Sequence, residues 1–388
     1  MNKKRALYFI IPFLSIIFGI GIINFVVKDN KVSEAENRAL RQRPTIENIK
    51  DKTFTKEYDT YYTDQFVLRD KLIKLDTVMQ LQSNKSRVKG LYITDDGYIL
   101  DVPATTKATN EDYKENVEDI NNIAIKAKDR NKEFCYISLP RKENALTHKY
   151  PRYVDKNYGL ENSKLFLSML NQKSINTIDV GSYFINKFSP EEIEKMYFKT
   201  DHHWNSIGAH KAFKYIIDGL NKKYDLNVDL SDYKYKTKVV KGKEFLGSYN
   251  INLYELFDKN ERIPYVYMDR RYNNKYYDLN NKEINEDKII ASDKNKNEIT
   301  YGGGYTNDYP YYKVVNKNAI TDKKILIIKD SFEAPLTWLF SDVFEEVEIV
   351  DLRHIDLSID EILDKSKSDI VTVMFNNGLD LNSMLENI

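Results

Sequence analysis

The sequence predicts an α/β fold: a parallel sheet flanked by helices, with an irregular or β-rich insertion and an N-terminal transmembrane helix. Three observations lead there. The chain opens on a long uncharged apolar run. Helix-like and apolar strand-like segments alternate afterwards, and a long stretch rich in tyrosine, charge and glycine interrupts them.

The opening run comes first. From Ala6 to Val27 no residue carries a charge, and such a length crosses a bilayer as a helix. Lys3, Lys4 and Arg5 precede it, so the positive-inside rule places the N-terminus in the cytoplasm and the remainder outside the cell membrane. The run is longer than the apolar core of a cleaved signal peptide and no small-x-small site follows. Residues 1–28 are therefore expected to be a cytoplasmic tip and an uncleaved single-pass anchor. Residues 29–85 read as a membrane-proximal helical segment, because Leu68, Leu72, Leu75 and Met79 recur at helical spacing.

Residues 86–388 are expected to form the main domain. "GLYITDDGYIL" (90–100) reads as two short strands turning at Asp95-Asp96-Gly97. "TNEDYKENVEDINNIAIKAKDR" puts Tyr113, Val117, Ile120, Ala124 and Ala127 on one helical face. "EFCYISLP" follows as a buried strand ended by Pro140. A second helix ("LENSKLFLSMLNQK") and a short strand ("NTIDV") come next. After the insertion, expected at about 228–320 on one side of the sheet, the alternation resumes as strand "KKILIIKD", helix "SFEAPLTWLF" and strand "EVEIVDL". A helix with a Ser358/Glu361 capping box and a last strand "DIVTVMF" complete it. Such βαβ runs use right-handed crossovers and bind ligands at the C-terminal ends of their strands. "YGGGY" (301–305) lacks the helix and Lys-Ser/Thr of a phosphate loop and reads as a flexible loop.

Composition narrows the function. Lysine plus arginine equals aspartate plus glutamate, at 59 each, which argues against a nucleic-acid surface. The 29 tyrosines read as a coding bias, with stacking on sugars as the functional alternative. Cys135 is the single cysteine, so no internal disulfide forms. An exported domain of this size without disulfides suits a bacterial surface.

The chemistry concentrates in "FKTDHHWNSIGAH" (198–210), which holds three of the five histidines. Phe213, Ile216, Ile217 and Leu220 mark a helix beginning near Asn205, so Asp201 to Trp204 fall on the loop entering it. Residues two apart on an extended loop point the same way. Asp201 can then fix the tautomer of His203 while His202 points elsewhere, and His210 belongs to the helix. A metal needs three or four converging ligands. Adjacent Asp201, His202 and His203 do not supply them, and His148 and His354 lack ligand spacing, so neither metal nor cofactor is expected. Catalysis instead needs a nucleophile. Ser331, in "IIKDSFEAP", sits where a buried strand meets a helix, a turn that exposes a hydroxyl above the sheet edge. Alone, that Asp-Ser reads as a helix cap; beside Asp201-x-His203 it reads as the nucleophile.

"TDHHWNSIGA" and "KDSF" together resemble the DHHW family and the SGNH-hydrolase-like domain of alginate-type polysaccharide O-acetyltransferases. "AENRALRQRP", "YYTDQFVLRDKL", "LPRKENAL", "FLGSYN" and "VDLRH" fit the same pattern. The resemblance implies that Ser331 becomes acetylated, that His203 is its base and that Asp201 orients His203, with the amide of Ser331 or its neighbour as oxyanion donor. Arg353, Asn376 and Trp204 are expected to contact the sugar. A membrane-bound O-acyltransferase partner would supply acetyl, and a bacterial surface polysaccharide would accept it. An O-acetyl esterase and a non-catalytic polysaccharide-binding scaffold are the alternatives. One departure is Lys329, where a glycine commonly precedes Asp-Ser.

Overall fold

The computed structural model describes residues 3–36, 38–83, 85–269, 273–290 and 297–376. Of the expected insertion, residues 270–272 and 291–296 lie outside the described residues. The chain divides into two compact units: Met1–Lys89 with Asn250–Phe257, and Gly90–Tyr249 with Asp258–Ile388.

The first unit begins with helix α1 (Lys3–Val26), whose Leu7–Val26 stretch is long and apolar enough to cross a membrane and is a candidate anchor. Over residues 54–82 the expected membrane-proximal helical segment forms two helices, α2 (Phe54–Asp64) and α3 (Arg69–Gln82). The break has a polar cause. Asp64 takes a two-pronged contact from Arg38 at 2.9 and 2.6 Å, and the Gln65 amide donates to the carbonyls of Asn30 and Arg41. Leu68, Leu72, Leu75 and Met79 share one face of α3, as their spacing predicts, but that face is exposed.

Among the described residues of the second unit, eight strands form one sheet. They are β1 (Glu133–Leu139), β2 (Asn176–Asp179), β3 (Lys275–Tyr277), β4 (Glu283–Ile284), β5 (Tyr311–Val315), β6 (Thr321–Lys329), β7 (Phe344–Val350) and β8 (Ile370–Asn376). Their spatial order is β4-β3-β5-β7-β6-β8-β1-β2. The five strands from β7 to β2 are mutually parallel, and the other three pair antiparallel at one edge.

This corrects the expected place of the insertion. Part of it extends the sheet, because Tyr311–Val315 pairs with β7 residue for residue. Another part, the ribbon of Tyr235–Val239 and Pro264–Met268, lies on helix α6 (Ser206–Tyr224), where Ser206 bonds Pro264 and Val266 at 2.8 and 3.0 Å.

Strand alternation builds the core on both faces of the sheet. Cys135, Ile137, Ile325, Ile327, Val347 and Ile349 pack with Phe213, Ile216 and Leu220 of α6. Phe134, Tyr136, Leu326, Ile328, Val371 and Val373 meet the helices on the other side. Those helices are α4 (Asn110–Lys128), α5 (Gly159–Gln172) and, later in the chain, Ile359–Lys365, which carries the expected Ser358/Glu361 capping box. Two helical layers thus hold the sheet, and the C-terminal ends of the parallel neighbours β1, β6 and β8 lie at one edge of it.

Candidate active site

Strand β6 ends at Lys329, and Asp330-Ser331 begins a single 3₁₀ turn (Ser331–Glu333), not the helix expected there. The α-helix starts only at Thr337, beyond Pro335, which has no N–H with which to continue the turn's hydrogen bonds. Asp330 shapes this turn. One of its oxygens accepts from the Phe332 amide at 2.9 Å, and the other accepts from the amide and side chain of Asn376 at 2.5 and 2.6 Å. Asp330 therefore fastens the end of β6 to the end of β8. Burial pushes its carboxyl up, against those donors.

The DHHW segment approaches as a tight loop closed by an antiparallel bridge between Tyr197 and Trp204. Asn205 caps α6 by accepting from the amides of Ile207 and Gly208. Within the loop, Asp201 accepts from the His203 amide at 2.9 Å and from His203 Nδ1 at 2.7 Å, while its second oxygen accepts from the Ser248 amide at 2.7 Å. Burial works to raise the Asp201 carboxyl, but the imidazole of His203 and these donors hold it well below the usual carboxylate range. With Nδ1–H given to Asp201, Nε2 of His203 is left to accept from Ser331 Oγ, which lies 2.7 Å away. Asp201, His203 and Ser331 form one continuous hydrogen-bonded chain.

Residues 98–292 match the family described as SGNH hydrolase-like domain, acetyltransferase AlgX. The chain belongs to this family. The stretch matching the AlgX family includes Asp201 and His203 and ends before Ser331. Among solved structures, the chain is 28% identical to Bacillus cereus PatB1, with a TM-score of 0.65 over 76% of this chain and 99% of that one. A form of PatB1 with a sulfonyl adduct matches at 25% identity and a TM-score of 0.62, over the same shares. A DHHW family protein from Eubacterium siraeum shares the fold at 20% identity and a TM-score of 0.56, over 78% and 97% of the two chains. A comparison with curated proteins gives no match.

The remaining predicted residues of this AlgX-family domain are placed as follows. Trp204 is not a sugar contact: it is fully buried, and its indole N–H donates to the Phe332 carbonyl at 2.8 Å, tying the DHHW loop to the serine turn. Asn376 is committed to Asp330. Arg353 pairs with Asp351 at 2.6 Å and Asp308 at 3.1 Å while its side chain stays 27% exposed. His202 does not point away. The loop bends, so two-residue alternation fails, and the His202 ring lies 3.7 Å from that of His203 with Nδ1 2.8 Å from Ser248 Oγ.

Tyr301 of "YGGGY" was missed as a site residue. Instead of a flexible loop, Tyr301–Gly304 is a helical turn, and the Tyr301 ring stacks on His203 at 3.8 Å and 7°. Lys329 is buried, 3.1 Å from Asp308 and 3.3 Å from Asp351. Its ammonium thus occupies the ligand-type cluster of Asp308, Asp351 and His354. In the other such cluster (Asp201, His202 and His203), the Asp201 and His203 atoms are engaged with each other and with Ser331.

Proposed function

We propose that this chain transfers acetyl groups onto hydroxyls of a bacterial surface polysaccharide through an acetyl-serine intermediate, on the outer side of the membrane that α1 anchors it to. The observation carrying this reading is the Asp201–His203–Ser331 chain, with 2.7 Å at each link, in a domain of an acetyltransferase family. Ser331 Oγ attacks the acetyl carbonyl as its proton passes to His203 Nε2, and Asp201 stabilises the resulting imidazolium. The Phe332 amide is taken by Asp330, which makes the Ser331 amide the candidate oxyanion donor. When the tetrahedral adduct collapses, the donor's leaving group takes the proton from His203. The acceptor hydroxyl then repeats the sequence: it gives its proton to His203, attacks the acetyl-serine, and Ser331 recovers the proton as the sugar ester leaves.

Arg353 is the residue read as a sugar contact, because its side chain is partly exposed just past the end of β7. A membrane-bound O-acyltransferase would deliver acetyl across the bilayer, which a single helix cannot do. Ser331→Ala is expected to abolish ester-linked acetate on the polymer while the protein stays anchored and folded. Unchanged polymer acetate in a strain carrying only that variant would overturn the reading.

A further inference from the structure

Just past the end of β1, at the first residue of a short helical turn (Lys142–Ala145), Lys142 is buried completely. Among the described residues, its ammonium has no carboxylate within ion-pair distance. It donates instead to three backbone carbonyls: Ile99 at 2.6 Å, Lys199 at 2.8 Å and Asp201 at 2.8 Å. The rings of Tyr249 and Tyr98 lie 5.1 and 5.7 Å from the nitrogen, within cation–π range. Across the same loop, Glu261 accepts from the amides of Lys199 and Thr200 at 2.6 and 2.8 Å. The segment leading into Asp201 is thus gripped twice, its amides by a carboxylate and its carbonyls by an ammonium.

A buried unpaired ammonium is costly, and a methylene-rich side chain would fill this space without that cost. The charge does something an apolar residue cannot: three carbonyls from two separate segments converge on one point only if a three-proton donor stands there. One of the three belongs to Asp201 itself, so the same contact fixes the backbone from which the carboxylate reaches His203.

We propose, building on the acetyl-serine reading, that Lys142 is a positioning residue for the reaction, holding the Asp201 backbone so that the Asp201 carboxylate meets His203 Nδ1. The ammonium completes the clamp only while it carries three protons. Burial lowers its proton affinity to about 7, against the attraction of Glu261, Asp201, Asp101 and Glu143, which face it. Loss of that proton leaves two donors for three carbonyls, so the clamp is whole below about pH 7 and loosens above it.

The test uses the full chain in detergent, with labelling of Ser331 by phenylmethylsulfonyl fluoride followed by intact mass, and the far-downfield proton resonance of His203 Nδ1–H followed by NMR. Lys142→Met is expected to slow labelling about 10²-fold, the scale of a misplacement near 1 Å, and to shift or erase that resonance. A folded Lys142→Met chain that labels within threefold of the parent and keeps the resonance overturns the proposal. Should that variant not fold, the parent chain decides alone. With ¹⁵N-lysine, the His203 Nδ1–H resonance is expected to shift in step with the Lys142 Nζ signal as Lys142 loses its proton, and a resonance indifferent to that change overturns the proposal. Failure of the parent's Ser331 to label would instead overturn the acetyl-serine reading, while the resonance still decides the role of Lys142.

Discussion

Glu333 stands two residues after Ser331, is fully buried, and has one oxygen accepting from Thr337 at 2.9 Å. Burial raises its carboxyl to about 7, opposed by the Lys329 ammonium. The folded value exceeds the ordinary 4.5, so between those two pH values the folded chain holds a proton that the unfolded chain has released. Its contribution to stability is complete below about 4.5 and is lost as pH rises through 7, a swing of roughly 3 kcal/mol. Glu333→Gln is expected to flatten that part of the melting-temperature profile between pH 5 and 8. Parallel profiles for the two chains would show that Glu333 does not titrate in this way. At this scale the sequence discloses residues whose chemistry is tied to their type: Asp201, His203 and Ser331 were legible because carboxylate, imidazole and hydroxyl at such junctions have few other uses. Trp204, Lys142 and Glu261 were not, since their contacts run largely to backbone atoms whose positions no residue spacing encodes.

Among the elements, the DHHW loop depends on close packing against the segment at Gly247. A Cβ added there would lie 2.3 Å from the Thr200 carbonyl oxygen, a backbone atom that cannot move aside alone. Gly247→Ala is expected to displace the 199–203 loop and lower acetyl transfer by about 10²-fold, a loss well beyond any change in melting temperature. Equal turnover by the two chains would show that the loop tolerates the shift. The strands and helices of the βαβ runs were legible from periodicity, as in β8 and the Ser358-capped helix. Elements that rest on single polar contacts were not. The break between α2 and α3 depends on Asp64 and Gln65, and the 3₁₀ turn at Ser331 depends on Asp330 and Pro335. The antiparallel edge formed by β4, β3 and β5 falls in the stretch expected to be irregular or β-rich, but its strands are too short for residue spacing to show that they extend the main sheet.

For the whole molecule, the apolar helix is continuous to Val26, and the unit that contains it ends that helix in polar contacts: Asn24 accepts from the Val67 amide at 2.8 Å and Tyr61 donates to Asp29 at 3.0 Å. Deleting residues 1–28 is expected to release the chain from the membrane fraction while Ser331 keeps its reactivity toward a sulfonyl fluoride. Retention of the shortened chain in washed membranes would mean that another surface binds there. The balance of 59 basic and 59 acidic residues offers no net charge to hold it on an anionic surface.

The stacking of Tyr301 on His203 has a kinetic consequence. Rings at 3.8 Å (Tyr301) and 3.7 Å (His202) cannot share one face of an imidazole, so they sandwich it. Asp201 holds the Nδ1 edge, and the Nε2 edge lies beside Ser331. On the acetyl-serine reading, donor and acceptor would both approach that edge, the first product leaving before the second substrate arrives. Acetyl transfer is accordingly expected to obey double-displacement kinetics, with parallel reciprocal plots as donor and acceptor are varied. Intersecting plots would mean that the two substrates bind together.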